Sequence, residues 1–227
     1  MDLRQIKNEM AEIAKKMYLS GMVNIFEGNI SVRVNDRFLI TPSQQSKENM
    51  TEDMIIEVDA EGNVLNPSDK YKPSSEGKMH LAVYKLRPDV NAVVHNHSPY
   101  ATAYAVAGKS IESTALTEML GIFGEIPLVP YGTPGTERIY EGFPEHLKYH
   151  NAVLLANHGV LAVGETLLKA FSVAEAVEKI AQTLLYAELL GGGHSIPKEE
   201  VAMIREYSFQ RRKKTIDAAQ EAVKNPK

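Results

Sequence analysis

Two apolar runs that end in histidine set the strongest limits on how this chain can fold. AVVHNH (92–97) carries His95 and His97 two residues apart, and in NAVLLANHGVLAVG (151–164) His158 ends an apolar run just before a glycine. Such runs read as strands. Within a strand, residues i and i+2 point to the same face, so the imidazoles of His95 and His97 can reach one point in space. A buried strand end is a poor place for an unpaired imidazole, which would cost about 1–3 kcal/mol. Three imidazoles on a rigid sheet form the ligand set of a divalent metal with one or two coordination positions open. An open position points to a Lewis acid that polarises a substrate oxygen, not to a structural ion.

The rest of the chain supplies partners for these strands. NISVRV (29–34) and RFLIT (37–41) read as a hairpin turning at Asn35-Asp36, and MIIEVD (54–59) with NVLNP (63–67) as a second one. NAVLLANHGVLAVG itself reads as a hairpin turning at His158-Gly159. Helical periodicity runs through residues 2–20, through EGKMHLAVYKL up to Pro88, through SPYATAYAVAG with Ser98 as N-cap, and through a long segment from Glu165 to the glycines at 191–193. TPGTERIYEGFPEHLKY (133–149) reads as a turn followed by a helix, and residues 199–224 as a last amphipathic stretch. Hairpins interleaved with helices suggest an α/β fold with one central, mostly antiparallel sheet covered by helices.

A chain of 227 residues can bury a full core, and we expect a single domain over 1–227. Its net charge of −4, without a basic stripe, does not favour nucleic acid. It has no cysteine, so any metal must be held by nitrogen and oxygen. No run approaches the roughly 20 apolar residues of a membrane span, and the first residues lack a signal-peptide core. We expect a cytoplasmic protein with no membrane or nucleic-acid partner.

Other positions carry two local readings. Ser74-Ser75-Glu76 can be ordinary capping of a helix start. It can also be an anion site at a helix N-terminus with a carboxylate beside it as proton carrier. Gly28-Asn29 and Thr41-Pro42-Ser43 read alone as strand boundaries. The remaining histidines, His80, His146, His150 and His194, read as surface residues.

Taken in order, GNISVR (28–33), LITPS (39–43), PSSE (73–76), RPDVNAVVHNHS (87–98), IPLVPYGTPGT (126–136) and NHGVLAVG (157–164) resemble the class II aldolase/adducin family. Six ordered motifs are specific where one would be weak. The resemblance implies a three-layer α/β/α sandwich around a mainly antiparallel sheet, and a homotetramer with active sites near subunit interfaces. It implies a divalent ion, zinc before manganese or cobalt, held by His95, His97, His158 and, at rest, Glu76. It also implies that Glu76 swings away to move a substrate proton, and that Asn29, Ser43, Ser74 and Ser75 hold a substrate phosphate. The activity implied is cleavage of a ketose 1-phosphate to dihydroxyacetone phosphate and a short aldehyde through a metal-stabilised enediolate.

The chain departs from the family pattern at three places. Phe26 replaces a threonine, and Gln44 stands where glycine is expected after Ser43. The segment ALTEMLG (115–121) lacks the aldolase tyrosine and carries Glu118 instead. Family members with an acid in that segment include a pentulose-phosphate 4-epimerase and a sugar-phosphate dehydratase. Glu118 is therefore either a second catalytic acid or a solvated helix residue. A non-catalytic adducin-like module is the remaining alternative, and the three retained histidines oppose it.

Overall fold

The computed structural model describes residues 2–224. Seven strands, β1 (Asn29–Val34), β2 (Arg37–Ile40), β3 (Ile56–Val58), β4 (Ala92–Asn96), β5 (Leu128–Val129), β6 (Ala152–Leu155) and β7 (Gly159–Gly164), form one sheet in the order β3-β2-β1-β4-β7-β6-β5. Neighbours pair antiparallel except β5, which runs parallel to β6, so the sheet is mixed. The helices are α1 (Leu3–Leu19), α2 (Gly77–Leu86), α3 (Pro99–Val106), α4 (Phe143–His146), α5 (Leu167–Leu189) and α6 (Lys198–Lys224).

The apolar runs occupy the middle of this sheet. All five residues of β4 are buried between β1 and β7. Its alternate side chains feed two different cores. Ala92 and Val94 join Ile30, Val32 and Ala162 against Met10, Ile13 and Met17 of α1 and Phe171 and Ala174 of α5. Val93 joins Phe38, Ile40, Leu161 and Val163 against Met79 and Val83 of α2 and Phe143 of α4. A period of two in the strands therefore places helices on both faces. It also sends Asn29, Ser31 and His95, one step out of phase with Ile30 and Val94, to the face that α2 covers.

Several local expectations change. The register Leu155↔Gly159 makes Ala156, Asn157 and His158 the turn between β6 and β7. Asn157 takes φ 58°, a left-handed conformation that asparagine tolerates, so the turn centres one residue earlier than His158-Gly159. NVLNP folds back antiparallel on β3, as a hairpin requires, but pairs over a single bridge, Val64 with Val58, flanked by Asp59 N to Asn63 O at 3.0 Å and Leu65 N to Glu57 O at 2.8 Å. The helix expected after Thr133 is a short 3-10 turn (Glu137–Tyr140) followed by four-residue α4, interrupted by Gly142. ALTEMLG leads into a π-helical turn, Met119–Phe123. Ser98 occupies the N-cap position of α3, but the cap is made by a distant acid. The Glu178 carboxylate of α5 accepts from Tyr100 N at 3.1 Å and Ala101 N at 2.9 Å. Among the described residues, no helix is long and apolar enough to cross a membrane.

Candidate metal centre

β4 delivers His95 at its end, and His97 follows one residue beyond the strand. The β6–β7 turn brings His158 alongside. The three ring centroids stand 4.8–4.9 Å apart, close to an equilateral triangle. One ligand atom from each ring lies within 4.8 Å of those of the other two. Two glycines allow this approach. A Cβ on Gly159 would stand 2.4 Å from Asn96 O and 2.8 Å from His97 Cδ2. Gly28, at φ 70°, precedes Asn29, and a Cβ there would stand 2.8 Å from His95 O.

The protonation pattern suits a cation. His95 Nδ1 lies 2.8 Å from Val160 O. A carbonyl only accepts, so Nδ1 carries the hydrogen and Nε2 keeps its lone pair. That Nε2 faces Nε2 of His97 at 3.0 Å. Burial, reinforced by the neighbouring His97 and His158, pushes the His95 pKa well below the usual histidine range. Burial also lowers His158, with Glu76 opposing it. Neutral imidazole is the form that binds metal.

Glu76, at the N-cap position of α2, closes the triangle. Its Oε2 lies 3.3 Å from His95 Nε2 and its Oε1 lies 3.3 Å from His158 Nε2. Glu76 Oε1 is buried without a hydrogen-bond partner, as is His158 Nδ1. A lone acceptor oxygen beside three converging imidazoles makes a nitrogen-and-oxygen donor set that fits a divalent ion of the zinc type. Outside the ring set, Glu27 Oε2 lies 3.6 Å from His97 Nδ1.

Two segments meet beside Glu76. Ser43 N donates to Lys72 O at 2.9 Å and Ser74 N to Thr41 O at 3.2 Å, around a bridge between Pro42 and Pro73. Ser43 and Ser74 therefore sit on adjoining strands of backbone. Ser74 Oγ accepts from Glu76 N at 3.3 Å in a turn just before α2, while the N-cap is Glu76 with no side-chain cap bond, so neither serine caps the helix; Ser75 is exposed. Asn29, paired with His95 across β1 and β4, donates from Nδ2 to Glu76 Oε2 at 2.7 Å. Gln44 adopts φ 53°, the left-handed backbone for which glycine is the usual residue, so the loop keeps its path at some strain. Phe26 is 58% exposed. Glu118 is exposed and, among the described residues, makes no hydrogen bond or ion pair with the histidines or Glu76.

Four neighbours of the site went unread in the sequence. His80, expected at the surface, is 1% exposed and bonded to Asn29. Ser31 and Tyr84 continue the same buried network. Lys47, 1% exposed, donates from Nζ to Gln45 O at 3.1 Å and lies 3.5 Å from Phe26 O. A usable signal for His80 and Tyr84 was the spacing of four from Glu76 to His80 to Tyr84, which places all three on one helix face. Of the other histidines, His194 is exposed, while His150 is half-buried with Nδ1 2.8 Å from His146 O.

Known proteins resemble this chain over most of its length. The L-fuculose phosphate aldolase of Escherichia coli (strain K12) is 36% identical over 211 residues, covering 91% of this chain and 95% of that protein. A 5-methylthioribulose-1-phosphate/5-deoxyribulose-1-phosphate aldolase of Escherichia coli O45:K1 is 35% identical, covering 87% and 90%. A 3-oxo-tetronate 4-phosphate decarboxylase of Haemophilus influenzae is 34% identical, covering 80% and 87%. A solved structure of L-fuculose 1-phosphate aldolase superposes with a TM-score of 0.81 at 31% identity, covering 89% of this chain and 95% of that one. The family described as "Class II Aldolase and Adducin N-terminal domain" matches residues 8–185, and this chain belongs to it.

Proposed function

We propose that this enzyme is a metal-dependent aldolase that splits a ketose 1-phosphate into dihydroxyacetone phosphate and a short aldehyde. The observation that carries the reading is Glu76, a carboxylate held 3.3 Å from both His95 and His158 at the mouth of the triad. In this reading His95, His97 and His158 hold one divalent ion, zinc before manganese or cobalt, with Glu76 as a resting ligand. When bound, that ion supplies electrophilic stabilisation for negative charge developing on the substrate's carbonyl oxygen.

The chain's own residues do the rest. Breaking the bond between carbons 3 and 4 leaves the electron pair beside the ketone, at C3. As the C4 hydroxyl becomes the aldehyde carbonyl, Glu76 takes up its proton and delivers it to C3; on condensation it removes the proton from dihydroxyacetone phosphate and returns it to the new C4 hydroxyl. Asn29, Ser43, Ser74 and Ser75 hold the phosphate, with Ser43 and Ser74 set side by side by the pairing of 41–43 with 72–74. No lysine nucleophile is required.

The wider setting belongs to the same reading: one α/β/α domain over 1–227 with a mainly antiparallel sheet, a cytoplasmic homotetramer, and a sugar phosphate as the only ligand besides the metal. The test is a substrate panel. Metal-reconstituted protein is mixed with ketose 1-phosphates, 5-deoxypentulose 1-phosphate among them, and dihydroxyacetone phosphate is followed by a coupled assay. Release from at least one substrate is expected. Isomerisation without release would favour a 4-epimerase, carbon dioxide from a 3-oxo acid phosphate would favour a decarboxylase, and either would overturn the aldolase reading. Glu118→Gln should leave aldol turnover unchanged, because Glu118 is exposed and bonded to none of the groups above. Lost turnover would make it the second catalytic acid.

A further inference from the structure

A chain of five side chains runs from the core to the metal centre, and its polarity can be derived bond by bond. Tyr84 OH lies 2.7 Å from Ser31 Oγ, and Ser31 Oγ lies 2.7 Å from His80 Nδ1. His80 Nε2 lies 2.5 Å from Asn29 Oδ1, and Asn29 Nδ2 lies 2.7 Å from Glu76 Oε2. An ionised carboxylate only accepts, so the amide nitrogen of Asn29 must face Glu76. Its carbonyl then faces His80 and can only accept, so Nε2 of His80 carries the hydrogen. His80 is buried, and burial drives its pKa down to about 3, so the ring is neutral and Nδ1 accepts. Ser31 must then donate to Nδ1, which leaves its oxygen to accept from Tyr84. Every donor points the same way, toward Glu76.

The geometry is built in rather than incidental. Glu76, His80 and Tyr84 are spaced by four on α2, and Asn29 and Ser31 are spaced by two on β1. A helix face and a strand face therefore meet over the whole length of the chain. Asn29, Ser31, His80 and Tyr84 are each 5% exposed or less, so water does not compete for these bonds. The Arg33 guanidinium stands 5.5 Å over the Tyr84 ring and closes the outer end. A run of aligned hydrogen bonds in a buried site strengthens each member.

We propose that His80 is a positioning residue that locks the Asn29 amide with its nitrogen toward the metal centre, as a donor passed between two anions. At rest that nitrogen holds Glu76. When Glu76 leaves to carry a proton, the same N–H is presented to an anionic oxygen of the substrate. Without His80 the amide is free to flip, and its carbonyl then repels whichever anion arrives. The catalytic part of this inference rests on the aldolase reading; the tautomer does not.

Two measurements separate those parts. The first is the nitrogen NMR spectrum of histidine-labelled, zinc-loaded wild-type protein. His80 should carry its hydrogen on Nε2, facing Asn29. Hydrogen on Nδ1 with a bare Nε2 overturns the proposal whatever the protein catalyses. The second compares His80→Met with His80→Gln on the substrate found in the panel, at matched metal content and thermal stability. Loss of one hydrogen bond to a charged group corresponds to about a 10- to 100-fold effect. His80→Met should raise KM by that order with a smaller change in kcat, and His80→Gln, which keeps a donor for Asn29, should restore most of it. Wild-type KM in His80→Met, or equal losses in both variants, overturns it. An empty panel would instead count against the aldolase reading and leave the NMR result decisive for His80.

Discussion

Replacing Lys47 by methionine should stabilise this protein at neutral pH. Lys47 is 1% exposed, and among the described residues its ammonium group meets only two backbone carbonyls, Gln45 O at 3.1 Å and Phe26 O at 3.5 Å. Burial lowers its pKa from 10.5 to about 8. A depression of roughly 2.5 units at about 1.4 kcal/mol per unit means that the buried charge costs on the order of 3 kcal/mol. Methionine removes that cost and fills similar space. It leaves two carbonyls without this donor, which returns about 1 kcal/mol. The backbone bond from residue 47 N to Ile25 O at 2.9 Å is kept. The net gain at pH 7 is therefore about 2 kcal/mol.

The pH dependence carries a definite sign. Between about pH 8 and pH 10.5 the unfolded chain holds a proton on Lys47 that the folded chain has released, so wild-type stability rises with pH across that window. The advantage of Lys47→Met should shrink across the same window, cross zero at about pH 9.5, and leave the variant about 1 kcal/mol less stable than wild type above about pH 10.5. Urea unfolding of both proteins at pH 7 and pH 10, at equal protein and metal concentrations, measures this directly. A variant less stable than wild type at pH 7, or a difference that does not change with pH, would refute the reasoning. The lysine ties the loop at 24–27 to the loop at 43–45, beside the residues proposed to hold phosphate. A raised KM for phosphorylated substrate should accompany the gain in stability.

Three further outcomes are expected. Glu76→Gln keeps the fold and removes the proton carrier, so single-turnover cleavage should slow by about 10²- to 10⁴-fold. Gly159→Ala puts a methyl group 2.4 Å from Asn96 O and 2.8 Å from His97 Cδ2. Calorimetric metal titration should show weaker binding, because His97 must move. Glu178→Ala leaves the backbone N–H groups of Tyr100 and Ala101 unpaired, and thermal unfolding should report a loss of about 1–3 kcal/mol with metal content unchanged.

The histidine triad was legible because strand periodicity alone brings His95 and His97 to one face, and a turn at the end of a second apolar run brings His158 beside them. The hairpin of β1 and β2 and the long helix α5 were legible for the same reason, a clean period carried over many residues. What failed depends on partners distant in sequence. Ser98 looked like the cap of α3, yet Glu178, eighty residues on, does the capping. His80 looked like a surface residue because a helix face is assigned by its apolar pattern, and here the inward face carries a polar chain that only β1 can satisfy. NVLNP has strand-like residues and folds back as a hairpin, yet it makes one bridge and no ladder with β3. Asn29, Ser43, Ser74 and Ser75 were named through motif resemblance, because short polar segments such as TPS and PSSE read locally as turns and caps.

The central claim is that His95, His97, His158 and Glu76 form one metal-dependent cleavage centre. Its most direct test is activity titration of metal-stripped protein with a divalent ion, following dihydroxyacetone phosphate from the substrate identified in the panel. Activity should be absent in the stripped protein, rise linearly with added ion, and level off at one ion per chain. Full turnover by the stripped protein, or saturation unrelated to one ion per chain, would contradict it.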